Sequence, residues 1–267
     1  DRRTEILFLR LATAWSLVIP LKGSLAWYDG VVLVGLYVWY IRLASKRPCE
    51  DCELHGTSAL IGALPAKGRR AATAGLFLFA AGTILACAEP FSESLVATGT
   101  LFGVDEFLLV QWLAPIASEA PEFIVALMFV WRGDAATALG SLLSAKLNQW
   151  TLLVGMIPLV YGLASGGIAP MPLDGFQMQE LLLTAAQSLL AVGLLAGLSL
   201  GPRRAGLLFV LFAGQLLSPL FLESLHAGIP ASQAHPFFSA LYLGSFTLLV
   251  LLRRHDLAAL RLGFRVE

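Results

Sequence analysis

Apolar residues fall along this chain in long runs broken by short polar stretches. Each run is judged against the roughly 20 residues a helix needs to cross a bilayer, within a range of about 17 to 25. Eight segments meet or approach that length: Ile6–Leu21, Trp27–Ala44, Ala71–Thr98, Phe107–Trp131, Ala135–Leu163, Leu181–Leu200, Ala205–Leu222 and Pro236–Leu252. The sixth carries no charge from end to end, whereas the second has only a short charge-free centre. The pattern predicts an all-α fold, a polytopic bundle of about eight transmembrane helices.

Composition agrees. Of the 267 residues, 57% are hydrophobic and 13% charged, with a mean hydropathy of +0.77. Soluble domains carry roughly 25% charged residues, so a water-soluble globular enzyme is excluded. Lys and Arg number 18, as do Asp and Glu, and this balance argues against a nucleic-acid partner. Three cysteines do not make a disulfide scaffold.

Loop charges orient the spans, because Lys and Arg gather on the cytoplasmic side. With the N-terminus inside and eight crossings, fifteen of the 18 fall inside, including Arg2, Arg3, Arg42, Lys46, Lys67, Arg132, Arg203 and Arg253. Lys22 falls outside, Arg10 can snorkel from the first helix, and Lys146 is left in mid-membrane. Both ends are therefore expected in the cytoplasm, across a bacterial inner (plasma) membrane. The chain opens on Asp1, close to an apolar helix and without a cleavable leader pattern. It is expected to be a piece of a longer protein.

A weak internal repeat supports that expectation. Glu5–Val38 reads as an apolar helix, a break and a second helix led by Gly30; Glu180–Gly214 repeats the layout, with Gly206 at the matching place. Transporters are often built from such duplicated halves. The three-helix block 71–163 between the copies has no counterpart ahead of residue 1, so a missing N-terminal half is expected as a partner. The implied division is 1–45 for the last two helices of a first repeat, 46–70 for a cytoplasmic loop and 71–222 for a second repeat centred on 107–163. Residues 223–267 form an extra helix and tail.

Ionisable residues within a span are costly and by default mark function. The fourth span carries Ser118-Glu119-Ala120-Pro121-Glu122. Pro121 has no N–H, so the Ala117 carbonyl loses its helical partner. A freed carbonyl beside two carboxylates supplies the oxygen ligands that a dehydrated cation requires. Counted from the Arg132-Gly133-Asp134 turn at 1.5 Å per residue, Glu122, Lys146 and Glu119 fall about 14, 16 and 18 Å deep. They therefore share one layer near the midplane, with Asn148 and Gln149 just beyond. The fifth span begins with small residues, Gly140-Ser141 and Ser144-Ala145, that permit close helix approach.

Leu113–Gly155 resembles the second alpha-repeat of the cation/calcium exchanger superfamily, the sodium/calcium exchanger membrane region. Ser118-Glu119-Ala120-Pro121-Glu122 matches its G-T-S-x-P-E element. Gly133-Asp134 with Ala138 and Gly140 matches its Gly-acid turn, and Ser144 to Gln149 its G-S-N-I-x-[ND] element. The last span is additional to that family's usual ten. The resemblance implies an incomplete inverted-repeat exchanger fold that trades Ca2+ or another cation against Na+ or H+ by alternating access, with no enzyme activity and no cofactor beyond the transported cation. It places the central acidic ligand on Glu122, with Glu119, the Ala117 carbonyl and Gln149 at other ligand positions and Ser118 beside them.

Departures stand where a hydroxyl gives way to Glu119, Ser to Ala145, Asn to Lys146, and Asn or Asp to Gln149. Lys146 paired with Glu119 or Glu122 would occupy the place of a bound cation and favour Na+/H+ or proton coupling. Those substitutions also leave open a degenerate exchanger fold that transports nothing and acts as a membrane scaffold or regulator.

Other polar features have plainer readings. Glu89-Pro90 and Glu93 are expected to close the third helix at a solvated mouth. His226 and His235 are expected to be solvated in an external loop. Cys49, Cys52 and His55 form a C-x-x-C-x-x-H that falls short of a closed zinc site. Trp27, Tyr28, Trp39, Tyr40 and Trp131 read as interfacial anchors. Tyr28-Asp29 and Gly103-Val104-Asp105 imitate the paired motifs of an intramembrane aspartyl protease, but the second lacks its leading glycine.

Overall fold

The computed structural model describes residues 3–46, 56–101, 103, 114–195, 200–224 and 234–252. It is helical nearly throughout, in the order α1 (Arg3–Lys22), β1 (Ser24–Leu25), α2 (Trp27–Ala44), α3 (Thr57–Gly62), α4 (Ala66–Leu101), α5 (Ala114–Trp131) and α6 (Ala135–Asn148). A π-helical turn (Gln149–Leu153), α7 (Val154–Ser165), β2 (Met171–Pro172), α8 (Gly175–Leu195), α9 (Pro202–Ser224) and α10 (Ala234–Leu252) follow. Each of the eight expected spans overlaps one of these helices across its described residues, the fifth being the continuous run of α6, the π turn and α7. Among the described residues, five helices have both the length and the apolarity to cross a membrane: Arg3–Lys22, Ala66–Leu101, Ala135–Ser165, Gly175–Leu195 and Ala234–Leu252.

The chain divides into two compact units, residues 1–46 with 126–267, and residues 47–125. In the first, α1 packs against α2, α6 and α8, α2 lies along α7, and α8 carries α10 on another side. One apolar cluster gathers Phe8, Ile19, Leu33, Leu147 and Trp150; a second gathers Leu183, Leu190, Leu194 and Tyr242. β1 pairs antiparallel with β2, Ser24 opposite Pro172 and Leu25 opposite Met171. This short ladder sets the end of α1 beside the start of α8.

Local sequence fixes the joints. Gly23 takes φ +68° between α1 and β1, a left-handed backbone that favours glycine. Asp29, third residue of α2, accepts a hydrogen bond from the Ala26 N–H at 2.8 Å and so caps the helix start. α2 and α7 cross where Gly30 meets Gly155: a Cβ on Gly30 would lie 2.5 Å from the Gly155 carbonyl oxygen.

In the second unit α3 packs on the start of α4. The 46–70 segment is thus not all loop, and α4 begins at Ala66. Lys67, Arg69 and Arg70 are good helix formers, so the helix extends beyond its apolar stretch. The expectation that Glu89-Pro90 and Glu93 close this helix fails, because α4 continues through Pro90 to Leu101. Both glutamates lie on exposed positions within it. Phe77, Leu78, Phe79, Ile84 and Leu85 are exposed on α4 as well.

Two aromatic and histidine expectations are also corrected. Tyr40 is not an interfacial anchor: it is buried, edge-on to Phe8 with ring centroids 5.8 Å apart, and its hydroxyl lies 3.3 Å from Ser144 Oγ. Trp27, Tyr28, Trp39 and Trp131 do stand exposed. His235 is not solvated in a loop, because α10 begins at Ala234 and presses its first turn onto α8. The ring is buried edge-on to Phe176, with Nε2 3.7 Å from Glu180 Oε1. His226, Asp105 and the Cys49, Cys52 and His55 motif lie outside the described residues; Cys87 is exposed on α4.

Candidate ion site

The acidic element lies on α5. Ala117, Ser118, Glu119 and Glu122 all fall within that helix, with Pro121 inside it. Residues three apart share a helix face, so Glu119 and Glu122 project from one side of α5. Both are exposed, as is Ser118. Pro121 sits four residues after Ala117, so the helix continues while the Ala117 carbonyl goes without its N–H partner.

The turn that ends α5 is built as its residues require. Gly133 takes φ +81°, and the N–H groups of Gly133 and Asp134 donate to the carbonyls of Val130 and Phe129 at 2.9 Å each. Asp134 then caps α6 by accepting from the Thr137 N–H at 2.9 Å. This places helix ends on both sides of a tight turn, as the Gly-acid pair implies.

Lys146 and Gln149 lie in the first unit, at the end of α6 and the start of the π turn, and both are half-buried. Lys146 Nζ stands 5.6 Å from the centroid of the Trp150 ring, within cation–π range. Trp150 and Thr151 are buried, and the Thr151 hydroxyl donates to the Leu147 carbonyl at 2.6 Å. The element is anchored from α2 as well, through Tyr40 and Ser144.

The π turn is the feature that sequence pattern missed. π bulges inside α-helices occur frequently at functional sites, and this one opens at Gln149, a residue singled out on other grounds. A single inserted residue leaves the apolar run of the span unbroken, so hydropathy carries no sign of it. The i, i+4 spacing of Lys146 and Trp150 was a readable signal for their stacking.

The Tyr28-Asp29 pair has a structural job. Asp29 is wholly buried and takes the Lys22 ammonium at 2.6 Å, the Trp15 Nε1–H at 3.0 Å and the Ala26 N–H. Its oxygens are committed to holding α1 against α2.

Comparison with known proteins places these residues in context. The family model for the sodium/calcium exchanger protein matches residues 72–221, which include Ser118, Glu119, Glu122, Lys146 and Gln149. The crystal structure of the H+/Ca2+ exchanger CAX is similar to this chain at 40% sequence identity with a TM-score of 0.87. The match covers 98% of this chain and 64% of that one, so the chain spans less than two thirds of that exchanger's length. Among curated proteins, no sequence matches.

Proposed function

This chain belongs to the sodium/calcium exchanger protein family and is an integral membrane protein, and we propose that it forms part of a secondary active cation antiporter. In this reading Ca2+ or Na+ moves against Na+ or H+ by alternating access.

The observation that carries the reading is the pair Glu119 and Glu122, exposed on one face of a helix that Pro121 deprives of a backbone bond. Carboxylates at membrane depth are too costly to face lipid; they need water, a counter-charge or a cation. Glu122 is the central ligand, with Glu119, Ser118 and the Ala117 carbonyl beside it. Counted along the sequence, Gln149 and Lys146 fall near the same depth, so the amide is assigned a further ligand position and the ammonium a competing role against divalent cations. Loop charges support cytoplasmic ends for the chain. The other half of the ion site falls to a second three-helix block of the same kind, and the two halves rock about the midplane layer.

Lys146 and Gln149 also support a second reading, a degenerate exchanger fold that carries no ion and serves as a scaffold or regulator. Proteoliposomes separate the two. With the full-length protein, an inward H+ or Na+ gradient should drive Ca2+ or Na+ flux that Glu122→Gln abolishes. Absence of flux from the wild type with every pair of ions would remove the antiporter reading and leave the scaffold.

A further inference from the structure

Three polar side chains share one face of α10. His235, Ser239 and Tyr242 follow the i, i+4, i+7 spacing of a single helical stripe. All three are buried, at 5%, 2% and 1% exposure. The stripe faces α8: His235 Nε2 lies 3.7 Å from Glu180 Oε1, and the Tyr242 hydroxyl lies 3.5 Å from Gln187 Nε2. Both pairs are 55 residues apart, so the two helices run parallel and keep one register over two turns. That register sets Ser239 between the two contacts, level with Thr184.

The two ends of the stripe are met differently. At Tyr242 the Gln187 amide donates to the phenol and to Gln215 Oε1 on α9, a closed network. Beyond it the seam is filled by apolar side chains, for Phe246 and Leu249 close over Gly193, where a Cβ would lie 2.9 Å from the Phe246 ring. At the His235 end, 3.7 Å exceeds a direct hydrogen bond. His235 Nδ1 and Ser239 Oγ are buried with no hydrogen-bond partner among the described residues. The Thr184 hydroxyl is turned to the Glu180 carbonyl at 2.9 Å, and Ser239 does not bond back to its own helix as Thr247 does.

We propose that His235 Nδ1 and Ser239 Oγ form an internal water-binding site in the seam between α8 and α10. Positions four apart on a helix face have Cβ atoms about 5–6 Å apart, and one water making two bonds of about 2.8 Å spans that gap. A neutral imidazole presents Nδ1 as donor or acceptor and a serine hydroxyl is both, so water complements either tautomer. Unmet polar groups are costly at membrane depth, and internal waters serve such groups with two to four bonds each. The Glu180 side chain is 42% exposed and links the site to the side that loop charges assign to the exterior. The site lies apart from α5 and does not depend on the antiporter reading.

The test is X-ray radiolytic footprinting of the full-length protein in detergent, in which hydroxyl radicals formed from bound water oxidise the side chains that touch it. His235 should be oxidised despite its burial, while Phe8, equally buried in an apolar cluster, stays unmodified. Ser239→Val, which replaces the hydroxyl with a methyl group, should abolish the His235 signal, and Ser239→Thr should retain it. A His235 signal no greater than that of Phe8 would overturn the site. So would a signal that persists in Ser239→Val, since bulk solvent would then reach the ring directly. Should Ser239→Val expose Phe8 and so prove misfolded, an experimental wild-type structure that resolves ordered water decides. Density within hydrogen-bond reach of both His235 Nδ1 and Ser239 Oγ is expected, and its absence, or protein partners on both atoms, would overturn the proposal.

Discussion

Lys22 places its ammonium 2.6 Å from each carboxylate oxygen of Asp29, a side chain completely removed from solvent. Lys22 is the single lysine that loop charges assign to the outer side, and this pairing explains the exception. Its charge is held by a buried partner at the α1–α2 junction, so it is not a surface charge that the positive-inside tendency would sort. Removing one member of a buried pair strands the other, at about 3–5 kcal/mol. Lys22→Ala should therefore lower the thermal unfolding midpoint in detergent strongly. The double variant Lys22→Ala with Asp29→Asn should lose less than the sum of the two singles. Additive losses would show that the pair is not coupled.

Gly30 and Gly155 impose a second constraint. A methyl group on Gly30 would sit 2.5 Å from a backbone oxygen that cannot swing away, whereas one on Gly35 meets nothing within 4 Å. Overpacking costs about 1–3 kcal/mol. Gly30→Ala should destabilise by that order, and Gly35→Ala should be neutral or slightly stabilising through helix propensity. Thermal unfolding of the two variants side by side checks this, and equal behaviour would contradict the close crossing of α2 and α7.

Much of this architecture is legible in sequence because the bilayer allows so little else. Long apolar runs can only be helices there, and α2 spans Trp27–Ala44 just as the run does. Helix ends are less legible. α4 extends at both ends because charged helix formers and an internal proline are tolerated where hydropathy alone would stop. Burial of single residues is least legible: Tyr40 and His235 look like interface or loop residues until α1 and α8 pack against them. At the candidate site, spacing alone puts Glu119 and Glu122 on one face, while the π turn at Gln149 leaves no trace in the pattern.

Lys146 bears on which ion the proposed antiporter would carry. Its ammonium, half-buried above Trp150, is proposed to compete with a divalent cation for the carboxylates. Lys146→Asn removes that charge and puts a neutral amide in its place. Ca2+ uptake by vesicles containing the full-length variant should rise above wild type. Unchanged or lower uptake would show that Lys146 does not oppose divalent binding.

Glu119 and Glu122 are expected to differ in weight. In the proposed site Glu122 is the central ligand and Glu119 an accessory one, so Glu119→Gln should weaken cation affinity and leave residual flux. Concentration dependence of flux separates the cases: Glu119→Gln should raise the half-saturating cation concentration by about tenfold, the loss of roughly 1.4 kcal/mol of binding. Complete loss of flux in both variants would place the two carboxylates on an equal footing.

The most direct test of the central claim is ion-gradient-driven flux through the reconstituted full-length protein, measured for wild type and for Glu122→Gln. Cation flux against H+ or Na+ in the wild type, absent in Glu122→Gln while the variant remains folded, is the expected result. Flux that survives loss of the Glu122 charge would contradict the ion site built on α5.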